Sequence, residues 1–387
     1  MKTKINIRYF VGHYQPIYTG AGKSLEKLIF ALDKDLFNVE IITAYKKGLS
    51  RIEHKEGYTI RRLGNGFFNN FGYLNAFGKI DFSIAAAFYN LFNRKYNILK
   101  FIGVGQVAFF SVLVAKLLGK PIINKTTAVG DDDPKKLSES FIGRTLIKLL
   151  NKNAAHWVIS QEIYTNCKTY TNWKPENLYL ITNVVKVPFD DYNLLLQQRQ
   201  KVTTTNVNFF LFVGVLNKRK GIHILIKLWN ELKTDAILTL CGPFGQDEDV
   251  NQLLKQNKNK NIKILGELNK DEIRIQYLKS DYFIFPSNRE GLPNVVLESM
   301  SLGLPIIANN IKGVIDFLLG ENKERGIIIP NNDFNTWKNT ITNIINQNEE
   351  LESQAKNAFN WVIKNSSYQA VGEQMKNMYL KVAKNEI

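Results

Sequence analysis

The sequence predicts an α/β protein of two doubly wound domains, and three observations carry that expectation. At 387 residues the chain exceeds one ordinary hydrophobic core, and 44% apolar composition makes it globular rather than disordered. Short β-branched and aromatic runs alternate with segments apolar at helical spacing, the pattern of parallel strands joined by crossover helices. The third observation is the stretch from Ser280 to Asn309, which reads as strand, tight loop, helix, glycine stop and strand. Tyr282 to Phe285 are aromatic and β-branched, as a buried parallel strand should be. Pro286 and Ser287 break that strand. Pro293 stands where a first helical turn tolerates proline, Gly303 lies just past the last apolar position, and Leu304 to Ala308 resume a strand.

The chemistry of this stretch follows from its helix. The first backbone N–H groups, around Leu292 to Val295, lack intrahelical partners and lie at the positive end of the helix dipole, a ready site for a phosphate or diphosphate. Glu290 in the loop and Glu298 two turns in flank that site. A carboxylate there accepts hydrogen bonds from hydroxyls, so the pair is placed to hold a sugar and a ribose on either side of a diphosphate. The competing reading makes both glutamates solvated charges on a helix face.

The complete string FPSNREGLPNVVLESMSLGLPII decides between them. It resembles the Glu–seven–Glu segment of retaining glycosyltransferases of family 4 (group 1), which have the GT-B fold of two Rossmann-like domains facing across a cleft. The resemblance implies that Glu290 contacts the donor sugar and Glu298 the nucleotide ribose. It also implies that the segment Gly291, Leu292, Pro293, Asn294 and Val295 holds the diphosphate through its backbone.

Composition narrows the partners. The formal net charge is +16, with lysine far more common than arginine. That balance favours anionic partners, either nucleic acid or an anionic membrane surface, and no RNA-binding signature or basic recognition helix supports the former. Cys167 and Cys241 offer neither a disulfide framework nor a metal cluster, and both read as reduced core residues of a cytoplasmic protein. Lys2, Thr3 and Lys4 lead straight into a strand, with no signal peptide.

In chain order, Ile5 to Val11 form a strand. The loop after it ends in Gly-Lys-Ser, but Ile17 stands where a phosphate-loop pattern needs glycine, so that motif fails. Gly20, Ala21 and Gly22 instead resemble the family's glycine loop, where absent side chains let the backbone approach the donor diphosphate. Leu25 to Leu36 read as a helix and Phe37 to Ala44 as a strand. Between Gly57 and Tyr96, Phe67, Phe68, Phe71, Tyr73, Phe77, Phe82, Phe88, Tyr89 and Phe92 interleave with Arg61, Arg62, Lys79, Arg94 and Lys95. These rings are either core or an interfacial surface that docks on anionic lipid at the inner face of the plasma membrane.

The apolar run from Phe101 to Gly119 has membrane-spanning length, but Gly103, Gly105, Gln106 and Lys116 interrupt it. It reads as the end of a strand (Asn97 to Ile102) followed by a buried helix (Val107 to Leu118), before a strand at Ile122 to Asn124. Many family members carry a histidine just after this point. Thr127 stands there, and Lys125, Thr126 and Asp131 are the candidate substitutes, unranked. Asp131 to Asp133 look metal-binding, yet Asp133 better reads as the cap of a helix starting at Pro134. GT-B enzymes do not require a metal at the diphosphate, so neither metal nor cofactor is expected. Ala155 to Glu162 give the last strand of the first domain, and Leu178 to Val187 resemble its closing segment. Gln197 to Asn206 is polar and threonine-rich, a linker.

The second domain opens with the strand Phe209 to Val213 and the loop GVLNKRKG, which resembles the family's phosphate-binding loop. Lys220 matches the family lysine. Val215 replaces the usual arginine, so Arg219 must supply the second cation. Strands follow at Ala236 to Gly242 and Ile262 to Leu265, and Tyr368 to Val382 form a terminal helix that, in the family, crosses back to the first domain. The expected division is 1–187 for acceptor binding, 188–206 linker, 207–366 for the nucleotide-sugar, and 367–387 the returning helix. The resemblance implies transfer of a sugar from a nucleotide-sugar, UDP-linked, to a saccharide or lipid-linked saccharide. A nucleotide-sugar epimerase on the same fold and a weakly catalytic sugar- or lipid-binding subunit are the alternatives.

Overall fold

The computed structural model describes residues 4–16, 20–66, 76–201, 207–320, 322, 324–330, 333–347 and 351–384. These fall into two units. Residues 1–184 and 368–387 form the first, and 185–367 the second.

The first unit contains β1 (Ile5–Phe10), α1 (Gly20–Phe30), β2 (Phe37–Ala44), β3 (Ile52–Lys55), β4 (Tyr58–Leu63) and α2 (Ala76–Phe92). It continues with β5 (Ile98–Ile102), α3 (Phe109–Leu117), β6 (Ile122–Lys125), α4 (Pro134–Ser138) and α5 (Phe141–Leu149). Then come β7 (Ala154–Val158), α6 (Gln161–Tyr170) and β8 (Leu178–Leu180). Among the described residues the sheet runs β3-β4-β2-β1-β5-β6-β7-β8, parallel except for the β3–β4 hairpin. Strand order reverses between β1 and β5, the switch point whose carboxyl edge accepts ligands in such sheets.

The second unit contains α7 (Tyr192–Gln200), β9 (Phe209–Val213), α8 (Ile222–Glu231), β10 (Ile237–Cys241), α9 (Glu248–Lys255), β11 (Ile262–Gly266) and α10 (Lys270–Lys279). It continues with β12 (Tyr282–Phe285), α11 (Asn294–Ser301), β13 (Ile306–Asn309), α12 (Ile315–Leu319) and β14 (Ile327–Ile329). α13 (Phe334–Gln347) and α14 (Glu352–Ser366) close it, and α15 (Tyr368–Ala383) returns to the first unit. Its all-parallel sheet runs β11-β10-β9-β12-β13-β14, with β9 and β12 side by side at the reversal. The central strands β5, β9 and β12 are buried on both faces, which is why they read as nearly continuous apolar runs, whereas β4 and β11 alternate buried with more exposed positions.

Several expectations need correction. The segment read as a linker holds α7, capped by the Asp191 side chain on the Asn193 and Leu194 amides. Tyr192 and Leu195 are buried, and Arg199 donates to the carbonyls of Ser280 and Leu302, so this stretch is packed into the second unit. Residues 202–206 lie outside the described residues. The helix expected over Leu25 to Leu36 stops at Phe30, because the Asp33 carboxylate accepts from Asp35 N and its carbonyl from Leu36 N in a turn. Ala155 to Glu162 is not the last strand, since β8 follows and pairs with β7. Asp133 does occupy the N-cap of α4, but its carboxylate accepts from Gly130 N and Asn166 Nδ2 rather than from the helix. Cys167 and Cys241 are both buried free thiols.

Between β1, β5, β6 and α15 lies a polar chain inside an apolar core. Tyr379 of α15 shares a 2.8 Å hydrogen bond with Tyr9, and Lys100 Nζ donates to the Tyr379 hydroxyl at 2.6 Å. Lys125 at the end of β6 donates to Asn183 Oδ1 at 3.1 Å and lies over the Trp157 ring. Burial lowers the Lys125 amine from its ordinary value near 10.5 to about 7, with Asp132 opposing the shift. Folding therefore strips a proton from this amine between those pH values, and the cost of burying it charged is full below pH 7 and relieved as pH rises. Lys125→Met is accordingly expected to stabilise the protein most at acidic pH, with its advantage shrinking toward pH 10. Urea midpoints across that range check this, and parallel wild-type and variant curves would contradict it.

Candidate functional site

The loops at the carboxyl ends of β9 and β12 are forced together at the second sheet's reversal. Gly221 ends the β9–α8 loop at φ 78°, in the left-handed region, and a Cβ there would collide with the Pro286 carbonyl oxygen. Asn288 N donates to the Arg219 carbonyl at 3.0 Å, and Arg219 Nη1 donates to the Arg289 carbonyl at 2.6 Å. Gly221→Ala should thus cost about 2 kcal/mol or more from backbone strain and the clash together. Chemical denaturation measures it, and an unchanged midpoint would mean that the loops separate freely.

This clasp brings three of the expected residues to one point. Lys220 Nζ lies 2.5 Å and Arg219 Nη1 3.1 Å from Glu290 Oε1, and Ser287 Oγ donates to the same oxygen at 2.7 Å. Lys220 and Glu290 are nearly buried, while the Arg219 side chain is half exposed. Burial lowers the Lys220 amine from its ordinary value, and the Glu290 carboxylate opposes that shift. Glu290 was expected to meet sugar hydroxyls. Here its Oε1 is saturated by cations and a hydroxyl, so further hydrogen bonding falls to Oε2.

Leu292 and Pro293 are buried beside it, and Pro293 is the N-cap of α11 rather than its first residue. The first i→i−4 bond runs from Leu297 N to the Pro293 carbonyl, so the amides of Asn294 and Val295 precede the helical ladder. Gly291 and Glu298 are half-buried. Glu298 lies close enough to Tyr277 to raise that phenol, though burial is the larger cause, and the Tyr277 hydroxyl donates to the Val295 carbonyl. One helix terminus, two cations and two carboxylates thus share the edge of one sheet.

Sequence reasoning missed Ser287 and Asn309. Asn309 Nδ2 donates to the Ser287 carbonyl at 3.2 Å and fixes the loop from β13. Gly20 and Gly22 belong to the first unit and lie in the opening turn of α1 rather than in a loop. Residues 17–19, which lead into them, lie outside the described residues. Of the substitutes named beside Thr127, Asp131 is exposed, whereas Thr126 and Lys125 are buried. Asp132, not named, accepts from Thr127 N, Thr127 Oγ1 and Ala128 N, and burial raises its carboxyl to about 6 against those bonds. Asp132 and Asp133 are therefore spent on backbone turns, the Thr127 hydroxyl and one asparagine, and no cluster of metal-ligating residues occurs among the described residues.

A parallel sheet that gathers lysine, arginine and a helix terminus at its switch point defines a Rossmann-like domain. Residues 196–361 match the family described as glycosyl transferases group 1. The whole chain has the GT-B fold. It is similar to sucrose-phosphate synthase from Thermosynechococcus elongatus, with TM-score 0.77 at 18% identity over 98% of this chain and 99% of that one. Among curated relatives, the capsular polysaccharide biosynthesis glycosyltransferase CapM of Staphylococcus aureus is 29% identical over 49% of this chain and 50% of its own. The UDP-Gal:alpha-D-GlcNAc-diphosphoundecaprenol alpha-1,3-galactosyltransferase of Escherichia coli is 28% identical over 41% of this chain and 40% of its own. The chain thus matches about half the length of the first of these relatives, or less.

Proposed function

We propose that this protein transfers a hexose from a nucleotide-sugar, UDP-linked, to a saccharide or lipid-linked saccharide in cell-surface polysaccharide synthesis, with retention and without a metal. The observation that carries the reading is the Lys220–Arg219–Glu290 cluster beside the α11 terminus. A departing diphosphate gathers negative charge, and preorganised cations and amides at that spot stabilise it where it develops. Glu290 holds the cations in place before the donor arrives. On binding, phosphate oxygens share Lys220 and Arg219, and Glu290 turns its second oxygen to the transferred sugar. Glu298 takes the ribose. Lys220 and Arg219 supply the positive charge that a divalent ion would otherwise provide. The capsular and lipid-diphosphate relatives support the acceptor class.

Titration calorimetry with UDP and other nucleoside diphosphates in chelator tests the donor site. Incubation with UDP-sugars and an acceptor, read by NMR for anomeric configuration, tests the reaction. Binding of none of the diphosphates would overturn the reading, an inverted product would overturn retention, and epimerised donor without transfer would assign the epimerase alternative.

A further inference from the structure

Helix α2 is apolar nearly all round. Its inner side buries Phe82, Ala86 and Ala87 in the first unit's core. Its outer side carries Phe77, Ile80, Ile84, Phe88 and Phe92, all exposed, within a stripe of about 120° at 3.6 residues per turn. Phe92 is 75% exposed and stacks parallel to Phe88 at 6.4 Å. A helix with apolar residues on both sides is normally buried on both. α2 packs against α3, and α3 against α5. These neighbours add Leu117, 83% exposed, and Phe141, 78% exposed. Together the three helices present an apolar surface of a kind that seldom faces water without a partner.

The charges around that surface indicate which partner. Phe141, Arg144 and Lys148 follow one another at i, i+3 and i+7, so α5 sets a ring and two cations on one face. Arg94 and Lys95 are exposed just past the end of α2, and Lys152 just past α5. Over 76–152 the exposed carboxylates are Asp131 and Glu139, and Glu139 is already paired with Lys136. A second copy of the chain would press this positive rim against itself. An anionic bilayer would instead take the rings at headgroup depth and the cations at its phosphates.

We propose that the outer face of α2, α3 and α5 is a membrane-docking surface for anionic phospholipid. The earlier expectation placed Arg61 and Arg62 on such a surface. Arg62 is buried and bonds the Ser50 and Gln15 carbonyls and Glu53, and Arg61 pairs with Glu40. Phe82 is core, and Tyr89 donates to Glu40. Phe67, Phe68, Phe71 and Tyr73 lie outside the described residues. Of the cations first named, Arg94 and Lys95 therefore stay on the surface while Arg61 and Arg62 leave it, and Arg144, Lys148 and Lys152 join them. It deepens the proposed function by naming the surface from which a lipid-linked acceptor is met, and rests on that reading for this point alone.

The test is co-sedimentation of the full chain with vesicles of phosphatidylglycerol and phosphatidylcholine, and with phosphatidylcholine alone, at low and high salt. Binding is expected to mixed vesicles at low salt, weakened by salt. Phe77→Ser/Phe88→Ser/Phe92→Ser and Arg94→Glu/Lys95→Glu/Lys148→Glu should each lower it at least about tenfold. Both variants should keep the wild-type unfolding midpoint and nucleoside diphosphate affinity, so that failure here is distinct from failure of the donor site. No binding at low salt, equal binding to neutral vesicles, or wild-type binding by either variant overturns the proposal. So does a concentration-dependent dimer that the phenylalanine variant abolishes, which would assign the face to a second copy.

Discussion

Lys220→Ala lowers turnover about ten- to hundredfold with saturating donor, while circular dichroism and the unfolding midpoint stay near wild type. The size follows from losing one charge-assisted contact to the departing phosphate, worth roughly 1.5–3 kcal/mol at a partly desolvated site. Lys220 Nζ sits 2.5 Å from Glu290, yet the alanine variant does not strand that carboxylate, because Arg219 and Ser287 still reach the same oxygen. Arg219→Ala should cost less, since half of its side chain is already in water. Steady-state kinetics on both variants checks the order, and a Lys220→Ala enzyme with near wild-type turnover would remove the lysine from the mechanism.

The second large effect separates the two glutamates. Glu298→Gln should weaken affinity for the free nucleoside diphosphate, because its role is at the ribose. Glu290→Gln should leave that affinity closer to wild type but lower turnover with the intact donor. It should also change the pH profile. The Glu290 carboxylate raises the Lys220 amine against the downward effect of burial, so removing its charge lets the amine fall further. Catalysis needs the ammonium form, and the alkaline limb of turnover therefore moves to lower pH in Glu290→Gln. Calorimetry and a pH–rate profile decide. If Glu290→Gln is the variant that loses nucleotide affinity, the two roles are exchanged.

Much of this was legible in the residues. Phe209–Val213 and Tyr282–Phe285 coincide with their expected strands because each is a buried apolar run bounded by turn residues, and Phe37–Ala44 does so because its buried apolar positions begin by alternating with Asn38 and Glu40. The pairing of Glu290 with Lys220 was not legible. It depends on β9 and β12 being neighbours, a fact of strand order that no local pattern encodes. The supposed linker failed differently, since its polar composition hid a cap at Asp191 and buried positions three apart at Tyr192 and Leu195. The rings of α2 were read as either core or interface, and the helix divides them. Helical spacing, applied to Phe77, Phe82, Phe88 and Phe92 one by one, would have sorted them.

The return of α15 has a consequence for how the chain is made. A ribosome finishes residues 185–367 as one uninterrupted piece, and that unit can close as soon as it emerges. The first unit has to wait. Its Tyr9 and Lys100 are translated early, but the phenol that satisfies both comes from Tyr379, and Ala31, just past α1, lies close against Gly372 of the same late helix. Until those last turns are synthesised, the older half of the chain holds an unpaired buried lysine and an open flank. It is the half expected to need a chaperone during translation, and truncation before Tyr368 should leave the younger half folded and the older one prone to aggregation.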